Sequence, residues 1–222
     1  MEYKKEKNKK FAEIKIIEEY FNKKSIALAV SGGPDSTALM FIVSKSKKIK
    51  KDNVTVLVVD HGLRKNSSDE ANLVKRNAIK IGFKCKILKW AGAKPSSGIQ
   101  EAARKARYNL MLSWCEKNNI KKLFLAHHLD DQVETFLMRL SKGSGVDGLT
   151  SMSKNTIISN LNLIRPFLEI SKNRLIEIAN SSRLEWVSDP SNLNLSYQRS
   201  RMRKLMPTLS KEGIDSHHIN LV

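Results

Sequence analysis

Cysteine is scarce in this sequence. Cys85 and Cys115 are the two among 222 residues, with no CxxC pair and no histidine at zinc-ligand spacing, so neither a redox dithiol nor a structural zinc site is indicated. Two buried thiols in a reducing cytosol is the plainer assignment. Long apolar runs are missing too. The N-terminal MEYKKEKNKK is followed by no apolar h-region, and no stretch reaches the ~18 apolar residues of a membrane span. A soluble, cytoplasmic protein without a membrane partner is expected. No internal repeat or low-complexity linker divides the chain. Acids are few beside bases, 22 Asp and Glu against 40 Lys and Arg, a formal net charge of +18. That excess suits a polyanion such as RNA or DNA, although lysine scattered among Asn and Ile, as in KSKKIKKDN, also reflects genome composition and solvation.

What is present alternates between two periodicities. Phe11, Ile14, Ile17 and Phe21 predict a leading amphipathic helix over 8–23. SIALAVS (25–31), VTVLVVD (54–60), KCKILKW (84–90) and KLFLAH (122–127) read as strands. Helical patterns follow each of them, over about 34–46, 68–81, 99–118 and 129–143. Apolar strands each followed by a helix imply a parallel sheet covered on both faces, a doubly wound α/β architecture. From Gly143 onward the pattern becomes irregular. GSGVDGLTSM is turn-rich, LIRPFLEI short and extended, SKNRLIEIANSSR a capped helix, WVSDPSN a loop and YQRSRMRKLMPTL a basic helix, together an elaboration packed on the sheet. Ligands in such sheets sit beyond the carboxyl ends of the strands, which directs attention to the residues after Val30, Val59, Trp90 and Ala126.

The first of these corners is SGGPDS. Ser31, Gly32 and Gly33 carry little side-chain bulk, Pro34 suits a first helical turn, and Asp35 and Ser36 lie beside it. Such a loop aims free N–H groups at one place and the helix N-terminus adds positive potential, so the expected guest is a phosphate. It is neither GxxxxGK[ST], having no lysine in place, nor GxGxxG, its glycines being adjacent. The competing reading is an ordinary strand-to-helix turn capped by Asp35 or Ser36. Asp60-His61-Gly62 ends the second strand, where a nucleotide's ribose or base commonly lies, unless it is only a polar turn. Arg199, Arg201 and Arg203 follow SDPSN, and arginines beside polar turns suit phosphates and oxyanions, the alternative being a basic surface helix.

SGGPDS after a buried strand resembles the pyrophosphate loop of the N-type ATP pyrophosphatases, the PP-loop group. AHHLDDQVETFLMRLSKGSGVDGL (126–149), IQEAARKARYNLM (99–111), RPFLEISKNRL (165–175) and WVSDPSNLNLSYQRSRMRKLMP (186–207) resemble, in the same order, segments of the tRNA(Ile)-lysidine synthetases within that group. The resemblance covers roughly residues 25–209. It implies a division into a leading helix (1–24), a catalytic domain (25–209) and a tail (210–222) with no further C-terminal domain, although many family members carry one.

The same resemblance implies the chemistry. ATP adenylates carbon 2's oxygen on the wobble cytidine of a tRNA(Ile) with a CAU anticodon, and free lysine then displaces AMP. Neither step needs a protein nucleophile. Ser31, Gly32, Gly33, Pro34, Asp35 and Ser36 would hold the leaving pyrophosphate, Asp35 also Mg²⁺, and Asp60 and His61 the nucleotide. Asp130, Asp131 and Glu134 fall within about one helical turn and would hold an ammonium or Mg²⁺, where the alternative is acids that merely complement a helix dipole. Of His127 and His128 one would face the site and one pack, and His128 is assigned to substrate with Asn192, Arg199 and Arg203. Arg104 and Arg107 would contact ATP phosphates or the RNA near the cleft and, with Arg201, offset charge on the phosphate, where the alternative for the first two is a solvated face. Oligomeric state is left open, a homodimer included. A tRNA thiolase shares fold and partner but would need cysteines that Cys85 and Cys115 do not supply. A non-enzymatic nucleotide binder on the same fold is the reading from another class.

Overall fold

A strand that is apolar on both faces can be buried on both faces only inside a covered sheet, and β1 (Ile26–Ala29) and β2 (Val54–Asp60) are of this kind. The structure, a computed structural model, describes residues 11–22, 24–188, 195–216 and 219. After a first helix α1 (Glu13–Glu19), β1 leads to α2 (Pro34–Lys45), β2 to α3 (Ser67–Lys80), β3 (Lys84–Lys89) to α4 (Ile99–Lys117) and β4 (Lys122–Phe124) to α5 (Leu129–Leu140). A short helix α6 (Val146–Leu149), strands β5 (Asn155–Ile158) and β6 (Leu161–Ile164), and helices α7 (Lys172–Ser181) and α8 (Gln198–Lys211) complete the order.

The sheet runs β3-β2-β1-β4-β6-β5 and is parallel except for β5 against β6. Chain order reverses between β1 and β4, which opens a crevice at their carboxyl ends. In the β1–β4 register Leu28 faces Phe124, so the segments that follow, carrying Ser31 and His127, leave the sheet at the same end. Alternation along β1 divides the core. Ile26, Leu28 and Val30 pack with α1, α2, α3 and α7, whereas Ala27 lies with Met111 and Cys115 of α4 on the opposite face. Helix α2 is buried from Ser36 to Val43 without a break, the pattern of a helix covered all round, here by α1 and α7.

Three features differ from the sequence reading. LIRPFLEI was expected as an extended elaboration, whereas β6 enters the sheet beside β4 and β5 folds back on it. β5 leaves no apolar pattern because it is an exposed edge, with Ile157 at 75% exposure. Its turn is legible only afterwards, through the positive φ of Ser159 between paired Ile158 and Leu161. β3 is not a continuous buried run. Lys84, Lys86 and Lys89 alternate with packed residues, as suits an edge strand guarded by lysine. The leading helix is also shorter than 8–23, ending with Tyr20 as its C-cap.

Helix α1 is stitched to the domain. Glu13, nearly buried, accepts from Arg174 Nε of α7 at 2.8 Å. Glu18 accepts from Ser46 Oγ at 2.7 Å and pairs with Lys48 at 3.1 Å, and the Ser46 hydrogen bond is the main reason its carboxyl is held below its ordinary range. Phe11 meets the Phe41 ring edge-on at 5.4 Å, and Ile17 is wholly buried. Ile17→Ala is therefore expected to lower unfolding stability by about 2–5 kcal/mol in urea titrations. A loss below about 1 kcal/mol would show that α1 is not part of the core.

Candidate active site

At the end of β1 the backbone turns sharply. Gly32 adopts φ +91°, a conformation that favours glycine, and a Cβ there would press on Val74 Cγ2 at 3.3 Å. Ser36 Oγ accepts from Ser31 N at 3.2 Å and donates to Gly33 O at 3.1 Å, and Gly32 O accepts from Val187 N at 2.9 Å. These bonds fix the loop but leave its donors free: among the described residues the amides of Gly32, Gly33, Asp35 and Ser36 meet no acceptor. They are the orphan donors of a helix N-terminus and its preceding loop, an anion cradle. Asp35 Oδ1 is buried here without a hydrogen-bond partner.

The cradle touches a second cluster through one imidazole. His128, 2% exposed, is the N-cap of α5. Its Nε2 lies 3.6 Å from Asp35 Oδ2 and 3.5 Å from Asp131 Oδ2, and its Nδ1 lies 3.6 Å from Asp130 Oδ2. Burial alone would disfavour the imidazolium, but the carboxylates of Asp130, Asp35 and Asp131 around it push its pKa up to about 10. Asp130 also accepts Lys172 N at 2.9 Å, tying α7 to the cluster. Burial opposes its charge, yet His128 and that amide hold its carboxyl down to about 2. Asp131 returns to accept His128 N at 3.2 Å, the reciprocal arm of a helix cap.

One turn further along α5, Glu134 is buried. Arg203 of α8 reaches its Oε1 at 2.7 Å through both Nε and Nη2, and Arg199 Nε lies 3.2 Å from Oε2. Burial raises the Glu134 pKa, with Arg203 opposing. Arg199 also donates to Thr135 Oγ1 at 3.2 Å and lies 4.0 Å from Asp131 Oδ1.

Not every expected residue joins these clusters. Arg201 is exposed and donates to the Leu195 and Ser196 carbonyls at 2.9 and 2.8 Å, on the far face of α8 from Arg199 and Arg203. Asn192 lies outside the described residues. Asp60 spends both oxygens internally, on Gly62 N at 3.0 Å and Ser68 Oγ at 2.7 Å, which is the behaviour of a strand-end turn. His61 beside it has a buried Nδ1 with no partner and packs edge-on against Trp90; burial, then Arg107 and Lys94, lower its pKa. Arg104 and Arg107 flank the Tyr108 ring at 5.2 and 5.7 Å, and burial pulls the Arg107 pKa down.

Two groups were given no role of their own from the sequence. The pKa of His127 falls to about 3, through burial first and then Arg165, Arg104 and Arg107, against Asp131. Arg165, 8% exposed, donates to Ser153 O and Thr156 Oγ1. The His-His pair was the available signal for the first; for Arg165 the Arg-Pro pair after β6 was too common to count.

Residues 4–209 match the PP-loop domain family. The chain belongs to that family. The PP-loop chain is 43% identical over 197 residues to a tRNA(Ile)-lysidine synthase of Rhodopseudomonas palustris, covering 88% of itself and 57% of that protein. To the tRNA(Ile)-lysidine synthase of Wolbachia pipientis wMel it is 41% identical over 203 residues, covering 90% of itself and 47% of the relative. It thus spans about half the length of the curated relatives it matches. In fold it is similar to the U34-tRNA thiolase NcsA from Methanococcus maripaludis, with a TM-score of 0.76 at 19% identity, covering 90% of this chain and 71% of that one.

No group of three His, Cys, Asp or Glu side chains converges at metal-ligand geometry among the described residues. Asp35 nevertheless fits Mg²⁺, which is commonly held by one or two carboxylates together with substrate phosphates, because its unpartnered Oδ1 lies at the cradle. Burial raises the thiol pKa values of Cys85 and Cys115 to about 11 and 12, which leaves neither poised as a thiolate. Among the described residues no helix is long and apolar enough to cross a membrane.

The depressed His127 value has a measurable sign. The unfolded chain binds a proton on this side chain near pH 6.5 and the folded chain does not, so its contribution to stability is present above pH 6.5 and is lost as pH falls toward about 3. In NMR titrations His127 should remain neutral at pH 5. Protonation with a midpoint near 6.5 would contradict the arrangement.

Proposed function

We propose that this chain carries the catalytic module of a cytoplasmic tRNA(Ile)-lysidine synthetase, ligating free lysine to carbon 2 of the wobble cytidine in tRNA(Ile) with a CAU anticodon. The supporting observation is that His128 Nε2 bridges Asp35 in the amide cradle and Asp131 on α5, at 3.6 and 3.5 Å. An anion site and a cation site thus share one side chain, as a reaction between ATP and an amine requires. The identity to named lysidine synthases supports this choice over other PP-loop chemistries.

On this reading the cytosine carbonyl oxygen attacks the α-phosphorus of ATP, the bond to the β-phosphate oxygen breaks, and pyrophosphate leaves into the Ser31–Ser36 loop. The amides of Gly32, Gly33, Asp35 and Ser36 stabilise charge developing there. Asp35 would hold Mg²⁺, which supplies further charge neutralisation on phosphate oxygens. Arg104 and Arg107 offset charge on the reacting phosphate, with His61 beside the nucleotide. The lysine ammonium gives a proton to solvent water, its amine attacks carbon 2, the bond from carbon 2 to the adenylate oxygen breaks so that AMP departs, and the new C–N nitrogen releases a second proton to water. Asp130 and Asp131 orient the amine. Glu134, already balanced by two guanidiniums, acts by holding Arg199 and Arg203 in place. The base must leave the anticodon stack to enter the crevice.

Incubation with ATP, Mg²⁺, labelled lysine and tRNA(Ile) bearing CAU should place label in the nucleoside. Asp131→Asn should lower that turnover by about 10²-fold or more while ATP affinity is kept, a loss typical of a charge-orienting group. Full lysine-dependent turnover in Asp131→Asn would remove the acidic-site assignment. Turnover with cysteine as sulfur donor and none with lysine would replace the proposal with a thiolase.

A further inference from the structure

Beyond the acid cluster, α5 continues into a groove that the reaction as described does not use. Thr135, Met138, Arg139 and Lys142 stand at i, i+3, i+4 and i+7 along α5 and the turn after it, so they form one stripe. Arg199 of α8 closes the opposite wall, and the groove holds about 210 Å³. Its floor is apolar, made by Met138 and the aliphatic stems of the long cations. Its charged lining residues are all cations, of which Arg199 is paired with Glu134 and Asp131. Arg139 Nη1 is held by the carbonyls of Thr150 and Gly148, which orient the guanidinium without neutralising it. Lys142 is exposed and meets no carboxylate among the described residues.

The stripe is continuous with the chemistry. Thr135 Oγ1 donates to the Asp131 backbone carbonyl at 2.7 Å and accepts from Arg199, which itself lies 3.2 Å from Glu134 Oε2 and 4.0 Å from Asp131 Oδ1, so Arg199 borders both the acids and the groove. From Asp131 to Lys142 the helical rise spans about 16 Å. We infer that the α5–α8 groove is a docking track for the RNA backbone beside the reacting nucleotide, with Lys142 contacting a phosphate. The chemistry it recognises is a phosphodiester over an apolar floor. An ATP triphosphate shares that anionic chemistry, but the amide cradle already supplies its site, and the +18 charge of the chain suits the longer polyanion. This inference rests on the proposed RNA substrate.

The test is fluorescence anisotropy of a labelled anticodon stem-loop RNA bearing CAU at ~0.1 M salt, with ATP affinity measured in parallel. Lys142→Glu should weaken RNA binding about tenfold and reduce the slope of log affinity against log salt by about one. Lys142→Arg should keep both, and Lys80→Glu, an equal charge change at an exposed position on α3, should change RNA affinity by less than about twofold. RNA affinity unchanged in Lys142→Glu, or lost equally in Lys80→Glu, overturns the groove and leaves the proposed reaction standing. An equal loss of ATP affinity in Lys142→Glu assigns the groove to nucleotide instead and overturns it. Failure of the unmodified protein to bind the stem-loop while binding ATP overturns the RNA substrate itself.

Discussion

A buried imidazole surrounded by three carboxylates is tolerable only when charged, and the rest of the site depends on that single cation. His128 draws Asp35 from the start of α2, Asp130 and Asp131 from the start of α5 and, through Asp130 and Lys172 N, the start of α7 to one point. Three helices thereby present their N-termini around the carboxyl ends of β1 and β4. Without it, three acids would face one another in a crevice where like charges repel strongly. With it the cluster retains net negative charge, suited to an amine, beside a loop whose free amides suit an anion.

The neighbouring imidazole titrates in the opposite direction. His128 lies on extended backbone among Asp35, Asp130 and Asp131, which push its pKa up, whereas burial first, and then Arg165, Arg104 and Arg107 against Asp131, bring that of His127 down. Helix α8 places Arg199 and Arg203 on Glu134, beside a small apolar cluster of Val133 and Leu137 with Met202 and Met206.

Much of this was legible in the sequence, where chemistry lies in consecutive residues. SGGPDS and HHLDD each sit at a strand-to-helix junction, and the parallel architecture brings both to the same end of the sheet. Other features depend on burial that no local pattern encodes. β5 is exposed and was not read as an element, falling between the turn-rich GSGVDGLTSM and LIRPFLEI. Asp60 was assigned to the nucleotide's ribose or base, and sequence does not reveal that its carboxylate accepts from Ser68 and Gly62. Arg201 was grouped with Arg199 and Arg203, yet helical periodicity separates it: residues four apart share a face and the residue between them does not. That distinction was available from spacing alone. Which histidine faces the acids was not, since period two assigns opposite sides without naming them.

The central claim is that the amides at the end of β1 are vacant donors reserved for the phosphate tail of a nucleotide. Amide ¹⁵N–¹H spectra recorded with and without pyrophosphate and Mg²⁺ test it most directly. Large downfield proton shifts at Gly32, Gly33, Asp35 and Ser36, with Ser31 moving less because its N–H is already bonded to Ser36, are the predicted result. Saturable pyrophosphate binding that leaves those four amides unshifted would contradict the account.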